Sequence, residues 1–225
     1  MQREVFPIMH NDEITATAVT DPLIVALGEI HFMRSIGNRL KRKNYASYRM
    51  RLAARLLHLV RKEINEENAT MTECLKVDHF DVFAKCALLA CGKTLDSALE
   101  HPSVAIKIGF DVAKLVSAKL GYASKEKDDD KYKETKRFQK LMQSEWKIKV
   151  RKQAVILLEE RGFNKRCELP DPEDVAKLAQ YLIRQLNETP KQITNSEEYR
   201  RLAILTEARL LLYNKRRPGE LEALS

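Results

Sequence analysis

Asp21 followed by Pro22, and Asp171-Pro172-Glu173-Asp174 further along, carry the same local instruction. An aspartate side chain can accept from the free N–H groups of a helix start, and the proline after it has a backbone angle suited to the first turn. Behind each signature, apolar residues recur mostly at intervals of three and four, the period of one helix face. The spacing predicts a helix through Leu23, Leu27, Ile30 and Phe32 toward Ile36, stopped by Gly37, and another through Val175, Leu178, Leu182 and Leu186. No window argues for a strand, and 7 Gly and 7 Pro in 225 residues are too few for a turn-dense β-sandwich. The predicted class is all-α, a helical bundle-type domain followed by the helical start of a second, incomplete domain.

The remaining helices follow from the same signals. Asn44 is placed to cap a helix whose stripe is Met50, Ala53, Leu56, Leu57 and Val60. A third helix is expected over about 78–90, closed by Gly92, and a fourth from Pro102 to Gly121. A long fifth helix is expected over about 130–160, with Phe138, Leu141, Met142, Trp146, Val150, Ala154 and Leu157 on one face and Gly162 at its end. Ser196 opens the last helix, through Leu202, Leu205, Ala208, Leu211 and Leu212. Residues 1–19 are polar and aperiodic, which predicts a flexible N-terminal segment. The polar stretch 163–170, ending in proline, predicts a linker. The expected domains are therefore 20–165 and 168–225.

Hydrophobic residues at 44% and charged residues at 32% describe a globular chain, and its length suffices to bury a core without disulfides or metal. Cys74, Cys86, Cys91 and Cys167 show no metal-ligand spacing, and three of them lie in an apolar helical stretch. The five histidines have no partner spacing, and Gly92-Lys93-Thr94 lacks the first glycine and the strand of a phosphate loop. No metal or small-molecule cofactor is expected. The start of the chain lacks the pattern of a secretory signal, and no apolar run approaches the ~20 residues of a membrane span. These features point to an intracellular protein with no membrane role, and its basic balance points to the nucleus.

Forty Lys+Arg against 32 Asp+Glu give a net charge of +8, unevenly placed. From Arg34 to Lys62 there are ten basic residues and no acidic one. A solvated face interleaves the two signs, whereas a one-signed block suits an anionic partner. The expected DNA contacts are Arg39, Arg42, Lys43, Arg49, Arg51, Arg55 and Lys62 from this block, with Lys149 and Lys152 beside Lys147 and Arg151 further on. Tyr45 and Tyr48 flank the basic face; Trp146 is expected in the core. The expected mode is sequence-tolerant contact with backbone phosphates, compatible with a homo-oligomer on DNA.

The C-terminal stretch reads Leu210-Leu-Leu-Tyr-Asn-Lys-Arg-Arg-Pro-Gly-Glu-Leu-Glu-Ala-Leu-Ser225. An apolar helix gives way to a basic turn, then Pro218 and Glu220 suit the start of another helix. Arg217 at that helix start could share an anion with the free backbone amides. This segment resembles the first conserved box of the tyrosine recombinase (phage integrase) family, Arg-x-x-Glu-Leu after an apolar helix and a turn. The resemblance implies that Arg217 is the first catalytic arginine, which binds the scissile phosphate, and that Glu220 supports it. Lys215 stands where the family carries a glycine. The resemblance extends more loosely to Leu169–Val175 as the opening of the catalytic domain, and to 20–165 as a helical core-binding domain. The family's later lysine, His-x-x-Arg motif and tyrosine nucleophile all lie downstream of this box. The expectation is a DNA-binding fragment or degenerate relative, linked to DNA recombination but not itself cleaving DNA. The alternative is a helical protein-interaction module with no nucleic-acid role.

Overall fold

In the computed structural model, which describes residues 1–35, 41–92, 99–163, 170–189 and 195–214, the chain is all-α and forms two compact units, 1–165 and 166–225. The first unit holds a 3-10 turn at Phe6–Ile8, α1 (Glu13–Thr20), α2 (Pro22–Arg34), α3 (Arg42–Ile64), α4 (Met71–Cys74), α5 (Phe80–Leu89), α6 (Pro102–Glu126) and α7 (Asp129–Ser144). A π-helical stretch at Lys147–Arg151 then leads into α8 (Lys152–Phe163). The second unit holds α9 (Pro172–Glu188) and α10 (Ser196–Asn214).

Asp21 starts α2 as its position predicts. Its Oδ1 accepts from Leu23 N at 3.0 Å and Ile24 N at 3.1 Å. Its other oxygen accepts from Met71 N at 2.7 Å, the first amide of α4. A buried carboxylate is thus satisfied at both oxygens while fastening two helix starts together. α4 has a capping box of its own, Thr70 with Glu73.

α3 runs through the middle and packs on α1, α2, α5 and α6. Met50, Ala53, Leu56, Leu57 and Val60 are buried along it, the stripe its spacing predicts. α2 comes close enough that a Cβ on Gly28 would overlap the Met50 sulfur. At the other end, the rings of Phe80 and Phe138 meet edge-on at 5.5 Å, Phe83 and Phe138 at 5.8 Å, and Phe80 and Trp146 at 6.3 Å. Each fully buried aromatic contributes about 2–3 kcal/mol of transfer free energy, and the edge-to-face geometry adds to it.

Four expectations are corrected. Residues 1–19 are not an aperiodic leader: Asp12 caps α1 through Thr15 N at 2.8 Å, and Val5 and Ala18 are fully buried. An eight-residue helix is too short to show a periodic pattern. α3 begins at Arg42, ahead of Asn44, with no side-chain cap. α6 continues through Gly121 to Glu126 and stops at Lys127, which is left-handed at φ 57°. The long fifth helix is interrupted between Ser144 and Lys152, where the wide π-helical turn keeps both Trp146 and Val150 buried.

In the second unit, α9 and α10 pair as a helical hairpin. Asp171 caps α9 through Glu173 N at 2.9 Å, and Leu182 is its buried residue. Gly37, Cys167, Arg39, Arg217 and Glu220 lie outside the described residues. No described helix is long and apolar enough to cross a membrane.

Candidate nucleic-acid interface

The basic block of α3 is not one surface. Helix geometry turns Arg49 onto the line of Ala53, Leu56 and Val60, four, seven and eleven residues on, and all four are buried. Arg49 is 2% exposed. Its Nε donates to Asp111 Oδ1 at 3.0 Å and its Nη2 donates to the same oxygen at 2.5 Å and to Lys107 O at 3.0 Å. His31 Nε2 lies 2.8 Å from that oxygen, so one aspartate of α6 gathers side chains from α2 and α3. The expectation that Arg49 contacts DNA is corrected by this placement, because the side chain is buried and its Nε and Nη2 are bonded inside the core.

Two more of the expected contacts meet carboxylates of the N-terminal segment. Arg51 makes a two-pronged pair with Asp12, Nη1 to Oδ1 at 2.7 Å and Nη2 to Oδ2 at 2.6 Å. Arg51 and the Thr15 amide hold the Asp12 carboxyl well below the usual carboxylate range. Arg42 donates from Nη2 to Glu4 at 3.1 Å and lies 4.3 Å over the Phe32 ring. His58 sits 2.8 Å from the Thr17 hydroxyl and 3.8 Å from Glu13. The acid missing from Arg34–Lys62 is therefore supplied from the first thirteen residues. To reach a phosphate, Arg42 and Arg51 must first give up a carboxylate, which offsets the gain from the new contact.

Lys149 is likewise engaged, to Asp81 at 2.5 Å and Glu145 at 2.6 Å. These two acids raise its pKa. Lys43, Arg55, Lys62 and Lys152 have no carboxylate partner among the described residues. Arg55 and Lys62 lie on the narrow exposed ridge of α3 with Tyr48, which Lys107 approaches at 5.2 Å. Tyr45 is half exposed and packs edge-on to His31 at 5.3 Å.

A set the sequence reasoning passed over stands on α7. Lys133, Lys136, Arg137 and Lys140 fall at i, i+3, i+4 and i+7, all exposed on one face, opposite the buried Thr135 and Phe138. None has a carboxylate partner among the described residues; Lys136 donates only to Gln139, at 2.9 Å. Ahead of α7, Asp128 and Glu126 hold Lys131 at 3.0 and 3.6 Å, and Asp129 and Asp130 in its first turn share the ridge's face without pairing with any of its four cations. The spacing alone could have found this ridge, but the single Glu134 inside it hides it from a search for acid-free runs.

The charge is also divided between the units. Thirty Lys+Arg and twenty-two Asp+Glu lie in 1–165, so the whole net charge of +8 belongs to the first unit, and the second is formally neutral. Among the described residues no group of His, Cys, Asp and Glu could hold a metal ion. Comparison with protein-family models, curated proteins and solved structures returned no match.

Proposed function

We propose that the 1–165 unit binds DNA through its backbone phosphates, and that the exposed face of α7 is the principal contact. The carrying observation is the ridge Lys133, Lys136, Arg137 and Lys140, four exposed cations within about two helical turns and free of carboxylate partners among the described residues. Such a ridge releases counterions when it meets phosphates, at no cost from a broken ion pair. Lys152 and the free cations of α3, Lys43, Arg55 and Lys62, extend the reading. It is a shift of the interface from the α3 block, where Arg42, Arg49 and Arg51 are already neutralised.

The recombinase-like reading belongs to the same proposal. α10 is an apolar-rich helix ending at Asn214, directly ahead of Lys215-Arg-Arg-Pro-Gly-Glu. In that reading Arg217 would hold a scissile phosphate and Glu220 would support it. Nuclear residence, which a DNA partner would suit, is part of the proposal.

Binding to a random-sequence duplex across a salt series tests it. Replacing Lys133, Lys136, Arg137 and Lys140 together by Gln should weaken binding and flatten the slope of log K against log salt by roughly 0.9 per lost phosphate contact. The four side chains are exposed, so circular dichroism should be unchanged. An unaltered slope rejects the α7 interface.

A further inference from the structure

Between α6, α7 and the π-helical stretch runs a groove of about 340 Å³. Its floor is apolar, with Phe110, Val116, Met142 and Trp146, and its rim carries Lys147 and Arg151 with no acidic residue among the lining groups. Phe110 is 56% exposed on a helix whose opposite face, Ile108, Val112 and Leu115, is buried. Gly109 lets the indole lie close: a Cβ there would stand 2.6 Å from Trp146 Nε1.

We propose that this groove receives an acidic amphipathic helix from a protein partner. The apolar floor fits two or three side chains spaced i, i+3 or i+4, and i+7 on one helix face. Methionine beside two aromatic rings adapts to such knobs. Lys147 and Arg151, with Lys136 and Lys140 on the exposed face of the neighbouring helix, select acidic residues along the occupant's flank. Duplex DNA matches the rim but has nothing to fill the floor; the two surfaces share Lys136 and Lys140, but this inference rests on the apolar floor with Lys147 and Arg151 and does not depend on the phosphate contact.

Trp146 is the single tryptophan of the chain, so its emission reads the groove directly. The probe is a synthetic amphipathic peptide of about 18 residues with Leu and Phe on one face and Glu on the other. Its controls are a scrambled peptide of the same composition and one with Lys in place of Glu. The probe should change the intensity or wavelength of Trp146 emission in a saturable way, and neither control should. Phe110→Asp, and separately Lys147→Glu with Arg151→Glu, should weaken the probe's binding by roughly tenfold or more. Phe110→Ser, which adds no charge beside the shared cations, should likewise weaken the probe's binding and leave binding to random duplex DNA unchanged. Absence of binding, equal binding of the scrambled peptide, binding that leaves the emission unmoved, or full affinity in Phe110→Asp each overturns the proposal. A protein that takes the peptide but not DNA keeps this inference and rejects the nucleic-acid reading alone.

Discussion

Arg49 and Asp111, sixty-two residues apart, meet in the core with two guanidinium nitrogens on a single carboxylate oxygen, at 3.0 and 2.5 Å. Their neighbours make the pair asymmetric. Without Arg49, Asp111 keeps His31 at 2.8 Å and Lys114 at 3.9 Å; without Asp111, Arg49 keeps no carboxylate, just a bond to Lys107 O at 3.0 Å and the Tyr45 ring at 5.7 Å. Asp111 Oδ2 is already buried without a partner. Breaking a buried pair from one side leaves an uncompensated charge, at about 3–5 kcal/mol. Asp111→Ala should therefore destabilise more than Arg49→Met, and Arg49→Met with Asp111→Leu should cost less than the two singles added. Urea unfolding of the four proteins closes the cycle. Single variants that each lose under about 1 kcal/mol would mean the pair is solvated.

The N-terminal carboxylates shield the basic face of α3, and that shielding is measurable. Glu4→Gln with Asp12→Asn frees Arg42 and Arg51 while keeping a capping side chain at the start of α1. If phosphates approach this face, affinity for random duplex DNA should rise and the salt slope steepen by up to about 0.9 for each freed cation. An unchanged slope places the phosphates elsewhere on the unit. The sign with pH follows from Asp12, whose folded-state pKa is depressed. Its contribution to stability is present above the ordinary carboxylate pKa and is lost as pH falls through the lower folded value. While the unit stays folded, Asp12 should thus keep shielding Arg51 below the ordinary carboxylate range.

Helix existence was legible because caps and periodicity are local. Asp21-Pro22 and Asp171-Pro172 begin α2 and α9 as their chemistry requires, and the Met50–Val60 stripe is buried as spaced. Two kinds of feature were not legible. Short elements such as α1 and α4 hold their place through distant groups, Arg51 on Asp12 and Asp21 on Met71, which no local window contains. The π-helical stretch is invisible to a 3.6-residue count because it inserts into an otherwise regular pattern. The inward turn of Arg49 was available: it shares a line with Ala53, Leu56 and Val60, and counting charges along the chain concealed it. Which acid pairs with which base depends on how the chain folds back, and the N-terminal partners of α3, Glu4 and Asp12, lie far from Arg34–Lys62 in sequence.

Three thiols give an alkaline signature. Burial pushes Cys74, Cys86 and Cys91 up to about 11. A group whose folded pKa is raised contributes stability that is complete below its unfolded pKa and is lost as pH rises through the folded one. Stability should therefore decline from about pH 9 toward about pH 11, as the unfolded thiols ionise first. In the native protein at pH 8 these three should resist iodoacetamide, and each should react on unfolding in urea. Peptide mapping of the alkylated protein checks this, and rapid native labelling at Cys74, Cys86 or Cys91 would contradict their burial.

Two glycines inside helices should respond to the same substitution with opposite sign. Gly28 faces the buried Met50, and an added methyl there overlaps the Met50 sulfur with the Met1 side chain close by. Both α2 and α3 are held by the core, so Gly28→Ala should cost about 1–3 kcal/mol, only partly offset by about 1 kcal/mol of helix propensity. Gly121 stands within α6 with nothing within 4 Å of its would-be Cβ. There Gly121→Ala should stabilise by about 0.5–1 kcal/mol, because the alanine loses less backbone freedom on folding and meets no obstacle. Thermal unfolding of both variants reads the signs. A loss of stability in Gly121→Ala would mean the helix ends there, as its sequence suggested, rather than running on to Glu126.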